Sequence, residues 1–244
     1  MRGQVVDTET AREFLEAART QVSDAERSAI AAGCAAKAER FRGWFGAGRA
    51  RALGPGELDA ALATIFAARR RRARILAAHG GALGGLLADL LEPDRPVAER
   101  FDRFAAGLSG VPDTVRHDVA AEVLHFTDPE RHWLWTRWMW DPRARTGALA
   151  LVTMEETELA GATPGETYAR VGEAVAFLRA TGDAAGLTRA ADGPFALDVF
   201  LAAVYGVYLY TTLRMRMTRE FNQVVPPLPE LTRRLLGVHA GAGG

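Results

Sequence analysis

Val111-Pro-Asp-Thr-Val-Arg-His-Asp-Val-Ala-Ala-Glu-Val-Leu-His-Phe126 runs directly into Thr127-Asp-Pro-Glu-Arg-His-Trp-Leu-Trp-Thr-Arg-Trp-Met-Trp-Asp141. The stretch holds four of the five tryptophans and three of the five histidines, so binding or chemistry is sought here first. Pro112 suits a first helical turn, where its missing N–H costs nothing. Val115, Val119, Val123 and Phe126 recur at helical spacing and define a buried stripe. Thr127-Asp-Pro-Glu130 has the form of a capping box, which predicts a second helix that Asp141-Pro142 ends. Asp118, Glu122 and His125 fall within one narrow arc of the first helix, at ~100° per residue. On the second, Trp133, Arg137 and Trp140 share one face, while Trp135 and Trp138 share another. The face with the arginine is assigned to a partner, and the other, flanked by Leu134 and Met139, to the core.

Towards the N-terminus, Thr10-Ala-Arg-Glu13 and Ser23-Asp-Ala-Glu26 are capping boxes that open two helices. The first turns Phe14, Leu15, Ala18 and Val22 inward, and the second runs through Ile30, Cys34 and Phe41 towards Trp44. Glycines at Gly43, Gly46, Gly48, Gly54 and Gly56 mark a connection. Pro55 begins a third helix with Leu58, Leu62, Ile65 and Phe66 as its apolar positions. It is expected to enter Arg69-Arg-Arg-Arg-Ala-Arg74 and to end at His79-Gly-Gly, before a short helix over Ala82 to Leu91. Pro93 to Pro96 is a turn, and Val97, Phe101 and Phe104 mark the helix that follows. Gly147 to Leu159 fits a short strand or a helix. Tyr168, Val171, Val175 and Leu178 mark another helix, and the last long one runs from about Leu197 to Phe221.

The fold class is therefore all-α: a multi-helix globular domain with a buried apolar C-terminal helix and a two-helix N-terminal extension. The extension covers residues 1–46, the main domain 55–238, and a disordered tail 239–244.

Formal net charge is zero, so no global field draws the chain to nucleic acid or an anionic membrane. Hydrophobic residues at 48% and charged residues at 25% are those of a soluble globular protein. The single cysteine, Cys34, excludes an internal disulfide and a Cys-based zinc site. It is expected to act as a small buried apolar residue. Met1 to Asp7 lacks the apolar run of a secretory signal, which places the chain in the cytoplasm. Val199 to Leu213, between Asp198 and Arg214, is uncharged but shorter than the ~20 residues of a membrane span, so it is expected to be a core helix.

Glu122-Val-Leu-His125 has the Glu-x-x-His spacing by which one helix offers a carboxylate and an imidazole to a metal. The second such pair of a di-metal bundle is missing, and the sequence assigns no metal, no cofactor and no catalytic residue. The Arg69–Arg74 run points in all directions around a helix and suits phosphates or an acidic partner. Arg214, Arg216, Arg219, Arg233 and Arg234 form a second basic region.

Leu108-Ser-Gly-Val-Pro112, followed by Ala120-Ala-Glu-Val-Leu-His-Phe-Thr-Asp-Pro-Glu-Arg131, resembles the hairpin region of helix-hairpin-helix base-excision glycosylases. The resemblance spans about thirty residues and implies a hairpin that holds a DNA phosphate ahead of a functional helix. Pro112 stands where that family carries a second hairpin glycine, which removes one backbone amide. No lysine lies nearby, and Asp141 does not match the family's aspartate in spacing or context.

These features favour a cytoplasmic accessory or interaction protein with a protein partner. Its expected binding residues are Trp133, Arg137 and Trp140, with Arg69, Arg70 and Arg72. Two alternatives accompany this: a nucleic-acid-binding protein of glycosylase-like layout, and a helical metalloenzyme centred on Glu122 and His125.

Overall fold

The computed structural model describes residues 5–185, 193–216 and 226–238. These are all-α: α1 (Thr8–Arg19), α2 (Asp24–Phe45), a 3-10 segment (Gly46–Ala52), α3 (Pro55–Thr64), α4 (Arg72–Leu91), α5 (Val97–Gly107), α6 (Asp113–Thr127), α7 (Ala148–Val152), α8 (Pro164–Ala185), α9 (Ala196–Arg216) and α10 (Leu228–Leu235). The β pairing among them is limited to isolated bridges, Val6 with Thr153 and Asp141 with Thr146. The predicted tail at 239–244 lies outside the described residues, as do the side chains of Arg214, Arg216 and Arg219.

The chain forms two compact units. The first contains α1, the start of α2, residues 138–157 with α7, the end of α8, α9 and α10. Here α9 packs against α1, α7 and α10, and Leu197 and Val199 to Val204 are buried. A helix apolar around its circumference has to be covered on every side, as the sequence predicts for this segment. At Gly206 the Leu228 side chain of α10 occupies the space that a Cβ would need. Cys34 is fully buried.

The ends of the first helices follow from side-chain chemistry. α1 begins at Thr8, earlier than Thr10-Ala-Arg-Glu13 suggests, because Asp7 is the cap. Its carboxylate accepts from the Thr10 amide at 3.0 Å and from the Thr10 hydroxyl at 2.7 Å. Thr10 therefore lies within the first turn of the helix rather than at its cap. The Ser23 box forms as read: the Glu26 amide donates to the Ser23 hydroxyl at 3.2 Å, and the Ser23 amide donates to the Glu26 carboxylate at 2.9 Å.

The second unit contains the rest of α2, the 3-10 segment, α3 to α6, residues 128–137 and the start of α8. α4 packs on the 3-10 segment, α3, α5 and α6. α6 is more deeply set than a stripe implies, with every residue from Asp118 to Phe126 buried.

Three expectations are corrected in this unit. α3 stops at Thr64, where Ile65 turns extended, so the arginine run is not a helical extension. Arg69 to Arg71 lie in a turn, and Arg72 opens α4. α4 then continues unbroken through Gly80, Gly81, Gly84 and Gly85, although each glycine disfavours a helix by ~1 kcal/mol. Packing outweighs that cost: Leu83, Leu87 and Leu90 are buried, and a Cβ on Gly84 would lie 2.9 Å from the Ala50 carbonyl oxygen. Among the described residues α4, rather than α9, has the length and apolar composition of a membrane-crossing helix. Its mean hydropathy is 1.2.

The third correction is the tryptophan segment, which is not a helix. α6 ends at Thr127, Pro129 favours an extended Asp128, and residues 132–136 have no regular secondary structure before a turn at 137–139. Thr127 is the last residue of α6 rather than a cap, and its hydroxyl has no hydrogen-bond partner. Trp-Leu-Trp-Thr-Arg-Trp is rich in residues that lose side-chain freedom in a helix and fit an extended chain covered on both sides.

Candidate functional site

With no helix between Trp133 and Trp140, these residues have no common helical face with Arg137. Arg137 is exposed, Trp133 is half-buried, and Trp135, Trp138 and Trp140 are buried. In the second unit Trp133 stacks on Tyr168 at 4.7 Å and donates its indole N–H to the Tyr168 carbonyl oxygen at 2.7 Å. The Tyr168 hydroxyl donates back to the Trp133 carbonyl oxygen at 3.1 Å. Trp135 stacks on His117 at 5.3 Å and meets the Phe101 ring at 5.6 Å. In the first unit Trp138 donates its indole N–H to the Leu235 carbonyl oxygen at 3.1 Å.

The arginine turn is differently placed. Phe66 is 43% exposed, the most of any large apolar side chain among the described residues, and the Arg69 guanidinium lies 4.5 Å from its ring centroid. Arg70, Arg71 and Arg74 are exposed as well. Arg72 is held within the fold, with Nε 3.0 Å from the Asp59 carboxylate and Nη1 donating to the Arg69 carbonyl oxygen at 2.8 Å.

On α6, Asp118, Glu122 and His125 do share a face, and all three are buried. Glu122 pairs with the Lys37 ammonium of α2, which also sits 4.2 Å from the centroid of the Phe126 ring. Burial pushes the Glu122 carboxyl up, and the Lys37 charge opposes that shift. Asp118 is pushed well above the ordinary carboxyl range, first by burial and then by the neighbouring Glu122 charge. It accepts from the Arg137 amide at 3.2 Å. His125 donates its Nδ1 proton to the His132 carbonyl oxygen at 2.9 Å. The Glu-x-x-His pair is thus engaged by a lysine and a backbone carbonyl. Among the described residues no three His, Cys, Asp or Glu side chains assemble as a metal site.

Lys37 was missed by sequence reasoning, but it carried a signal. It is the only lysine of the chain, and it lies on the apolar stripe of α2 between Cys34 and Phe41.

A cleft of about 800 Å³ opens in the second unit. It is lined by the 3-10 segment, the end of α4, Arg100 of α5, and Thr127, Asp128, Arg131 and His132 after α6. Arg100 is only 6% exposed, and it donates to the carbonyl oxygens of Arg95 at 3.0 Å and Leu90 at 2.5 Å. Burial lowers its pKa. His132 is depressed to about 4, first by burial and then by the Arg100 charge, so its ring is neutral near pH 7. The His132 Nδ1 and the Thr127 hydroxyl are buried without hydrogen-bond partners. The charged lining of the cleft is thus Arg51, Arg100 and Arg131 with Glu92 and Asp128.

No model of a known protein family, no curated protein and no solved structure matches this chain.

Proposed function

We propose that the chain is a cytoplasmic accessory protein that binds an acidic protein partner through the turn between α3 and α4. The exposed Phe66 ring beneath the Arg69 guanidinium carries this reading. A large apolar side chain left in water is costly at ~25 cal/mol per Å², and aromatic and arginine side chains dominate protein interfaces. Arg70, Arg71 and Arg74, exposed in the same turn and at the start of α4, add positive charge to this segment, which suits a partner with carboxylates around an apolar pocket. Arg69 and Arg70 keep the binding role expected from the sequence, while Arg72 is committed to Asp59.

The test is co-purification with the tagged full chain. Phe66→Ala and Arg70→Glu should keep the wild-type melting temperature and lose the partner that the wild type retains. Equal retention by both variants would refute this surface.

Nucleic-acid binding is the second reading, supported by the hairpin joining α5 to α6. Gly110 there adopts φ +77°, the Val111 amide donates to the Leu108 carbonyl oxygen at 3.2 Å, and His79 of α4 contacts the Ser109 carbonyl oxygen at 2.9 Å. Binding of duplex or single-stranded DNA that weakens steeply with salt favours this reading over the first.

A further inference from the structure

We propose that the cleft between the 3-10 segment and the end of α6 binds a small molecule through a phosphate or carboxylate group, and that this oxyanion completes the partners of Arg100. The inference stands apart from the partner surface at Phe66.

A buried guanidinium is ordinarily matched by a carboxylate, because removing an unpaired charge from water costs several kcal/mol. Arg100 is buried, yet its hydrogen bonds run to two backbone carbonyls, and no carboxylate among the described residues lies within ion-pair distance. Glu92 acts on it only through a longer-range field. Arg100 lines a space large enough for a metabolite, since small-molecule sites run from ~300 to 1,000 Å³.

The surroundings support the same chemistry. Thr127 lines the cleft, and its hydroxyl is buried without a hydrogen-bond partner, so an acceptor in the cleft would satisfy it. The neutral His132 ring also lines the cleft and carries a single N–H donor, and its Nδ1 is buried without a partner. Arg51 and Arg131 line the cleft as well, each paired with a single aspartate at 2.7 and 3.6 Å. Three arginines, Arg51, Arg100 and Arg131, therefore line the space against two carboxylates, Glu92 and Asp128. An oxyanion supplies several acceptor lone pairs at once, and a forked guanidinium binds it more strongly than neutral donors do.

The test titrates the full chain with inorganic phosphate and, separately, with sodium acetate, against sodium chloride at matched ionic strength. Heat of binding and melting temperature are read together. Saturable binding of phosphate, acetate or both, absent with chloride, is the expected result, and which ion saturates identifies the headgroup. Arg100→Gln should weaken binding by about tenfold or more. Because that change also removes bonds to Leu90 and Arg95, Thr127→Val is the second variant. It should weaken binding while leaving the melting temperature of the unliganded protein equal or higher, since it deletes an unsatisfied hydroxyl. The proposal is overturned if neither ion saturates, or if folded Arg100→Gln and Thr127→Val bind as the wild type does.

Discussion

Lys37 and Glu122, 85 residues apart in sequence, form an ion pair in which neither side chain reaches solvent to any useful extent. Phe126 and Phe41 flank the ammonium, so the pair sits in an apolar setting where charge is expensive to keep unmatched. The two charges suppress each other's cost. Lys37→Met should therefore destabilise the protein by ~3–5 kcal/mol, because it leaves Glu122 buried without its partner. Adding Glu122→Leu should recover most of that loss, since an apolar pair of similar volume needs no compensation. Urea unfolding of the two variants checks both signs. Equal stability of the single and double variants would mean that Glu122 is neutral in the folded state.

His132 gives a pH dependence whose sign is fixed by the depressed pKa of its ring. The unfolded chain takes up a proton near the ordinary pKa of ~6.5, whereas the folded ring does so only near 4. Between those values the unfolded state binds more protons, so stability falls as pH drops from about 6.5 to 4. Asp118 and Glu122 act in the opposite sense. Their raised folded pKa values mean that the folded state holds more protons than the unfolded one above ~4, so their contribution falls as pH rises. His132→Phe should flatten the acid-side loss, and Asp118→Asn should gain on the wild type as pH is raised. Melting temperatures recorded from pH 4 to 8 separate the two effects.

Where sequence and structure agree, a local rule had no competitor. Ser23 and Glu26 cap α2 because both donors and both acceptors lie within four residues. α9 is core because nothing polar interrupts Val199 to Val204. The tryptophan segment shows the reverse. Thr127-Asp-Pro-Glu130 satisfies the pattern of a capping box, but the same four residues also satisfy a helix end, with Thr127 last and Pro129 favouring the extended Asp128. Pattern alone cannot rank these two, and the bulky residues that follow tip the balance away from helix. The cleft was less legible still. Arg100 falls within the helix that Val97, Phe101 and Phe104 mark, but nothing in that pattern singles it out, and the absence of a carboxylate within ion-pair distance among the described residues is a property of the packed unit. Likewise the spacing placed Asp118, Glu122 and His125 on one face, but not the lysine that faces them.

Trp140 is 4% exposed and Trp135 is 3% exposed, so the two should behave alike. Trp135→Ala and Trp140→Ala should each cost ~3–5 kcal/mol, as deletions of large buried aromatic side chains do. The expectation that Trp140 faces a partner required near-wild-type stability for Trp140→Ala. Parallel denaturant titrations decide between the two, and a Trp140→Ala midpoint equal to the wild type would restore the partner-facing view.

Gly172 gives a sharper probe of the second unit, because it touches one ring. A Cβ at this position would overlap the six-membered ring of Trp133, while the backbone of Gly172 is helical and accepts alanine without strain. In an open helix Gly→Ala would stabilise by ~0.4–1 kcal/mol. Here the methyl group has to displace the indole, which is held by its stack on Tyr168 and by its N–H bond to the Tyr168 carbonyl oxygen. Gly172→Ala should therefore destabilise by ~1–3 kcal/mol, as overpacking of a filled site does. It should also shift the fluorescence of Trp133, whose surroundings change most. Pairing Gly172→Ala with Trp133→Leu should make the two costs less than additive, since the smaller side chain vacates the space that the methyl needs. Full additivity would show that the glycine and the indole do not meet.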